Sequence, residues 1–301
     1  MNETLRPSPV SPSPQATAAP GRRHRPGRAV LALLLSSHPA PALAVSALIT
    51  VVAVAAGRGT PGSCLVALAV LTGQLSVGWS NDCIDIARDR AAERRDKPLV
   101  AGTVRVRTVA VAACSALALC VPLSLANGPA AGAAHLAGVA AAWSYNLGVK
   151  RTPLSWLPYA LAFGLLPAFV TLALPGRPWP TTTLVAAGAL LGVGAHFTNV
   201  LPDIEADLAA GVRGLPQRLG RRRTRTVAAL TLLAASAVLV LGPPGPPDAT
   251  GWTGLAVTGA LAVAVCLPLR SASDSRLPFL ATLALAGTDI VLLLLSGVSL
   301  G

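Results

Sequence analysis

An all-α polytopic membrane protein with about nine transmembrane helices is the fold class that this 301-residue chain predicts. Three observations carry the prediction. Hydrophobic residues make up 53% of the chain against 12% charged, and the mean hydropathy is +0.62, which does not describe a water-soluble domain. The apolar residues are mainly Ala, Leu and Val, gathered in long runs between short polar breaks. The basic residues, finally, fall almost entirely on alternate breaks.

Residues 1–28 mix Pro, Ser, Arg and Ala and end in GRRHRPGR, too broken by proline to hold a fold. A disordered basic cytoplasmic tail is expected there, leading into an uncleaved first helix, with 29–301 forming the membrane domain. Spans are expected over roughly 30–56, 63–80, 104–126, 130–148, 155–175, 181–201, 226–242, 252–269 and 277–300. The second contains Gly73, Gln74 and Gly78, and the seventh is short. Most of the 28 glycines and 26 prolines lie in or beside apolar runs, where neighbouring helices can satisfy the freed backbone groups.

Of the 24 Lys and Arg, 22 lie in the tail, in 81–107, at 150–151, in 202–225 or in 270–276, while the alternate breaks hold only Arg58 and Arg177. This asymmetry predicts an odd number of spans in the inner or plasma membrane, with the N-terminus cytoplasmic and the C-terminus extracytoplasmic. The net charge of +12 accordingly reads as orientation, attraction to anionic membrane lipid and an anionic substrate. No finger spacing, helix-turn-helix pattern or aromatic platform supports nucleic-acid binding. Five cysteines without a CxxC pair read as small buried hydrophobes.

Two cytoplasmic segments, 81–103 and 202–225, are longer and more charged than a turn requires. In the first, Asn81, Asp85 and Asp89 repeat every four residues, so a helix would carry one amide and two carboxylates on one face, with Asp82 offset. In the second, Asn199, Asp203 and Asp207 repeat the pattern, four spans later and on the same side, as in a weak internal repeat. Clustered carboxylates at a helix end repel one another and lose solvation, and cations offset both costs. Oxygen donors without a His or Cys cluster favour Mg²⁺, which completes its shell with water and phosphate.

Each stripe is followed by a basic segment: Arg94-Arg95-Asp96-Lys97-Pro98, then Gly211 to Gly220 with Arg213. Carboxylates followed by Arg and Lys suit a diphosphate, though the same charges also serve as orientation signals, a role that Arg221, Arg222, Arg223 and Arg225 fit better. A third polar island runs from Trp143 to Pro153. There Tyr145 and Lys150 either close a phosphate end or orient an acceptor, or else belong to an ordinary membrane-interface belt. His38, His135 and His196 have no ligand spacing, and packing or a local hydrogen bond is expected of His196. Asp289, inside the last apolar run, either bonds a neighbouring helix or lines a cavity.

Together these residues resemble the UbiA family of intramembrane aromatic prenyltransferases, in an actinobacterial-like form. The first Asp-rich motif matches Asn81, Asp85 and Asp89 followed by Arg94 and Lys97-Pro98; the second matches Asp203 and Asp207 followed by GVRGLPQRLG; YNLGVKRTP at 145–153 is similar to a further family segment. The likeness covers approximately residues 30–300. It implies nine helices with two cytoplasmic caps over a central cavity, and transfer of an isoprenoid chain from a polyprenyl diphosphate to an aromatic or other lipophilic acceptor. By the same likeness Mg²⁺ is held by Asn81, Asp85, Asp89, Asp203 and Asp207. The four aspartates are catalytic, Arg94, Lys97, Arg213 and Lys150 bind diphosphate, and Tyr145 and Asn146 orient the acceptor. The sequence departs from the family pattern at Ala195 and Asn199, where many members carry Tyr and Lys, so one phosphate donor is missing and Asn199 is expected to extend metal–water coordination. Asp85, Asp207 or the released pyrophosphate could accept the acceptor's proton. Three other readings compete: a terpene cyclase of the same superfamily, a transporter or scaffold, and a CDP-alcohol phosphotransferase, whose compact Asp-Gly and Ala-Arg pattern is absent.

Overall fold

The computed structural model describes residues 26–266 and 277–295. Residues 1–25, most of the expected tail, lie outside them, as do Arg270 and Arg276. Pro26 to Arg28, which the sequence assigns to the tail, instead begin the first helix, where proline suits the opening turn.

That helix, α1 (Pro26–Leu35), meets α2 (Pro39–Ala55) at 66°. Pro39 and Pro41 lack the N–H needed to continue α1, and His38 takes φ 54° at the bend. The next helix, α3 (Gly59–Ala91), has 33 residues, about 50 Å at 1.5 Å per residue, against a hydrocarbon core of about 30 Å. Its far end therefore emerges still helical and carries the first acidic stripe out of the bilayer as one rigid rod. Gly78 lets α3 touch the bend: a Cβ there would lie 2.1 Å from the Ser37 carbonyl oxygen.

The chain continues through α4 (Val106–Leu125), α5 (Pro129–Leu147), a 3₁₀ turn at Val149–Arg151, α6 (Leu157–Thr171) and α7 (Thr182–Val200). After a second 3₁₀ turn, Leu201–Asp203, come α8 (Ile204–Ala209), α9 (Leu215–Leu241, kinked at Gly220, φ 75°), α10 (Ala249–Cys266) and α11 (Leu277–Leu295). The long helices pack on their sequence neighbours, and α11 reaches back to α7, α9 and α2, which closes the bundle.

Among the described residues six helices are long and apolar enough to cross a membrane by length and composition, and the bent pair α1–α2 makes a seventh. The chain is thus an all-α multi-pass membrane protein. Two of the nine stretches read from sequence fall outside this set: α6 has only 15 residues, about 22 Å, and the Ala- and Gly-rich α5 carries His135, Ser144 and Asn146. The cysteines correct the sequence reading more plainly. All five are unpaired, but only Cys120 is buried; Cys64, Cys114 and Cys266 are exposed on outer helix faces, where lipid provides the apolar surroundings that a core would.

Candidate active site

The first stripe forms on α3 as its spacing predicts, with Asp85 and Asp89 nearly fully buried and Asn81 half-buried. Asp82, offset by sequence, is buried as well; it faces the α1–α2 bend, 3.0 Å from His38 Nε2. The second stripe is not one continuous helix. Pro202 interrupts it, so Asn199 ends α7, Asp203 closes a 3₁₀ turn and Asp207 lies on α8.

Two arginines join the stripes. The Arg88 guanidinium donates through Nη2 to Asp85 Oδ2 at 2.9 Å and through Nη1 to Asp207 Oδ1 at 3.2 Å, with Asp89 Oδ1 3.5 Å away. Arg94 grips Asp96 through two nitrogens and gives a third, Nη1, to Asp203 Oδ1 at 3.1 Å. Lys97 Nζ donates to Asp89 at 2.7 Å and to Asp82 at 3.0 Å. Burial works to lower the Lys97 pKa, but Asp82 and Asp89 outweigh it and hold the amine above its usual range.

Lys150, which the sequence sets on a separate island, belongs to the first stripe: its Nζ donates to Asp85 Oδ1 at 2.6 Å and reaches Asn81 Oδ1 at 3.5 Å. Burial brings this amine below the usual lysine range despite the opposing charge of Asp85, with Arg88 and Arg151 pushing the same way as burial. These are the chain's only two lysines among 24 basic residues.

The cluster forms the mouth of a cavity of about 580 Å³ that runs down between α2, α6, α7 and α11. Just inside stand Tyr145 and Tyr159, edge to face with centroids 5.3 Å apart, and Phe163 stacks on Tyr159. Asn199 also lines the cavity, its Nδ2 3.5 Å from the Tyr159 hydroxyl. Asn146 gives its amide hydrogens to the Val77 carbonyl and the Ser80 hydroxyl, which clasps α5 to α3. Arg213 is exposed and does not line the cavity. His196 makes the expected local bond, 3.1 Å to Ser155 Oγ, which in turn accepts from the Leu215 N–H and seats the start of α9.

Sequence reasoning missed Arg88 as the bridge, Gln217 as a donor to Asp207 Oδ2 at 2.8 Å, and Tyr159 in the aromatic collar. For Arg88 a signal was present, since it lies three residues after Asp85 on the same helix. Gln217 and Tyr159 carry no local signal, because only tertiary packing brings them to the mouth.

Formal charge decides what the mouth can take. Asp82, Asp85, Asp89, Asp203 and Asp207 face Arg88, Arg94, Lys97 and Lys150, five negative charges against four positive. A diphosphate added alone would leave several buried negative charges uncompensated, whereas one accompanied by divalent cations would not. Among the described residues no group of three or more His, Cys, Asp or Glu side chains converges on one point. Mg²⁺ does not need such a group: one or two carboxylates, with water and substrate phosphate, complete its shell, so this all-oxygen donor set fits it.

Comparison with known proteins bears on the family and the fold. The profile of the UbiA prenyltransferase family matches residues 40–294. The bacteriochlorophyll synthase 33 kDa chain of Cereibacter sphaeroides is 31% identical over 182 residues, 57% of this chain and 60% of that protein. The chain thus spans about 60% of the length of this curated relative, which is alphaproteobacterial and lends no support to the actinobacterial-like form expected from the sequence. Two solved structures share the fold. A UbiA homolog from Archaeoglobus fulgidus bound to GPP and Mg²⁺ is 18% identical with a TM-score of 0.63, over 87% of this chain and 99% of that one. The apo UbiA homolog from Aeropyrum pernix K1 is 19% identical with a TM-score of 0.66, over 85% and 98%.

Proposed function

The chain belongs to the UbiA prenyltransferase family, and from that premise we propose that it transfers an isoprenoid chain from a prenyl diphosphate to a lipophilic or aromatic acceptor, with Mg²⁺. One observation carries the reading: two carboxylate stripes distant in sequence are tied by Arg88 and Arg94 across the mouth of a single apolar cavity. The Archaeoglobus homolog bound to GPP and Mg²⁺ supports the donor and the metal.

In this reading Asp85, Asp89, Asp203 and Asp207, with Asn81 and the more distant Asn199, hold Mg²⁺, which when bound neutralises the charge that builds on the departing pyrophosphate. Arg88, Arg94, Lys97 and Lys150 exchange part of their carboxylate pairing for the diphosphate oxygens. Arg213, exposed and off the cavity, is not carried into this set. The donor's C1–O bond breaks with its electron pair leaving on pyrophosphate. The apolar walls below Tyr145 and Tyr159 keep water from the allylic carbon, an electron pair of the acceptor forms the new bond to C1, and the acceptor's proton leaves to pyrophosphate or a mouth carboxylate. The membrane unit begins with α1 at Pro26, behind a basic tail, and all nine helical stretches cross the bilayer.

The test is a screen of purified protein with several polyprenyl diphosphates and acceptors, read by mass spectrometry. Mg²⁺-dependent pyrophosphate release with a product joining prenyl chain and acceptor is expected. Cyclised hydrocarbon formed without acceptor would show a cyclase instead, and saturable flux without turnover a transporter.

Lys150 is more buried than Arg94 and holds the most buried carboxylate of the mouth. K150A is therefore expected to weaken prenyl diphosphate binding about tenfold and R94A severalfold less, since exposed pairs contribute little. A displacement assay with GPP measures both, and a larger loss in R94A would reverse the assignment.

The mouth side is cytoplasmic in this proposal, with the N-terminus cytoplasmic and the C-terminus extracytoplasmic in the inner or plasma membrane. Arg58, at the other end of α3, donates to the Ala173 carbonyl and to Asn127 and shares a surface pocket with Arg177. In a background without native thiols, cysteines placed beside Arg94 and Arg218 should be labelled from the cytoplasm, and one beside Arg177 from outside. Opposite labelling of the first two would overturn the shared mouth.

A further inference from the structure

Below the mouth, the cavity wall carries a polar side chain that the proposed chemistry does not use. Gln74, Gly78, Asn81, Asp85 and Arg88 of α3 all line the cavity, at intervals of four, three, four and three residues, and so form one face of one helix. The upper part of this face belongs to the mouth. Gln74 lies seven residues before Asn81, about 10 Å deeper along the rod.

The amide of Gln74 is free. Among the described residues it makes no hydrogen bond, ion pair or ring contact, and with the side chain only half-buried neither amide atom is sealed in the packing. Its polar neighbours on α3 behave otherwise. Thr72, Ser76 and Ser80 each return a hydroxyl to a carbonyl of their own helix, and Ser76 and Ser80 also receive N–H groups from Trp143 and Asn146 of α5. A polar side chain inside a membrane bundle ordinarily bonds across to another helix; this one has only the cavity to bond into.

We propose that Gln74 is a polar subsite for the acceptor, hydrogen-bonding a neutral hydroxyl or carbonyl oxygen that the acceptor carries away from its reacting carbon. The donor cannot fill this place, since a prenyl chain is hydrocarbon beyond its diphosphate. The bound group is neutral because the basic side chains lining the cavity, His38, Arg88, Arg94, Lys97 and Lys150, all belong to the mouth. A carboxylate held at this depth would lose its hydration with no cation to replace it. An amide both donates and accepts, so it can meet either a hydroxyl or a carbonyl. With that oxygen on Gln74, the opposite end of the acceptor is directed toward the mouth, where the donor's C1 lies. The inference rests on the transferase reading and narrows its acceptor class to oxygenated but uncharged molecules.

Binding of four small probes to the purified full chain tests it: a naphthalene carrying an ethyl, an acetyl, a hydroxymethyl or a carboxylate group. Saturating inorganic pyrophosphate and Mg²⁺ occupy the mouth, so that its cations cannot capture the carboxylate and no turnover occurs. The acetyl and hydroxymethyl probes should bind the wild type about tenfold tighter than the ethyl probe, the scale of one well-made hydrogen bond, and the carboxylate should bind weakest. Q74L and the more nearly isosteric Q74M should each remove the preference, and neither should melt below the wild type, because the amide has no bond to lose. Equal binding of the ethyl and oxygenated probes to the wild type would overturn the subsite and leave the transferase reading standing. So would a preference that survives both substitutions, carboxylate binding as tight as that of the acetyl probe, or a steep loss of stability in both variants. Absence of Mg²⁺-dependent pyrophosphate binding in the wild type would overturn the transferase reading, and the subsite with it.

Discussion

D85N and D207N are each expected to lower Mg²⁺-dependent pyrophosphate release about 10²-fold or more, the scale of losing a strong electrostatic contact in the transition state. The two residues are 122 positions apart, yet one guanidinium touches both, at 2.9 and 3.2 Å. Either change therefore removes a charge from the same assembly. The double variant should lose less than the product of the single losses, because groups acting as a unit are not additive. Pyrophosphate release and prenylated product, measured on folded variants across an Mg²⁺ titration, decide the matter. Near-wild-type turnover in D207N would sink the two-stripe site even if D85N were inactive.

R88A should have the largest effect on stability. Removing the bridge leaves the five mouth carboxylates facing three cations, and breaking a buried ion pair costs about 3 kcal/mol or more. Lys150 still holds Asp85 and Gln217 still holds Asp207, so the fold is expected to persist with a lowered melting point in detergent. Mg²⁺ alone should stabilise R88A more than it stabilises the wild type, because the variant has the larger unmet negative charge and binding to the folded state raises its stability. R88K keeps the charge but not the fork that spans two carboxylates, and should fall between the two. Equal melting points for R88A and the wild type would show that the bridge carries no stability.

Those expectations also mark how far the sequence could be read. The first stripe was legible because α3 is one regular helix, where a four-residue spacing fixes a face without knowledge of any neighbour. The second was legible in composition but not in shape, since Pro202 turns a nominal stripe into a helix end, a 3₁₀ turn and a new short helix. Lys150 was set apart because linear distance hides that α5 packs against α3, held there by Asn146. The membrane class followed from hydropathy, whereas the length of each helix did not: α3 runs far past its apolar stretch, because polar residues outside the bilayer can stay helical. The cost of a carboxyl at Asp289 is legible from its apolar run, but only the closed bundle shows that it is buried beside Ser236 of α9.

The distribution of lysine gives the mouth a chemical handle. With arginine supplying the other Lys and Arg positions of the chain, the ε-amines of Lys97 and Lys150 are its only side-chain primary amines, and they are 13% and 5% exposed. A small amine-reactive tag followed by peptide mapping therefore footprints this one location among the side chains, the α-amine being read on a separate peptide. The extent of tagging with and without bound diphosphate becomes an occupancy gauge that needs neither turnover nor knowledge of the acceptor.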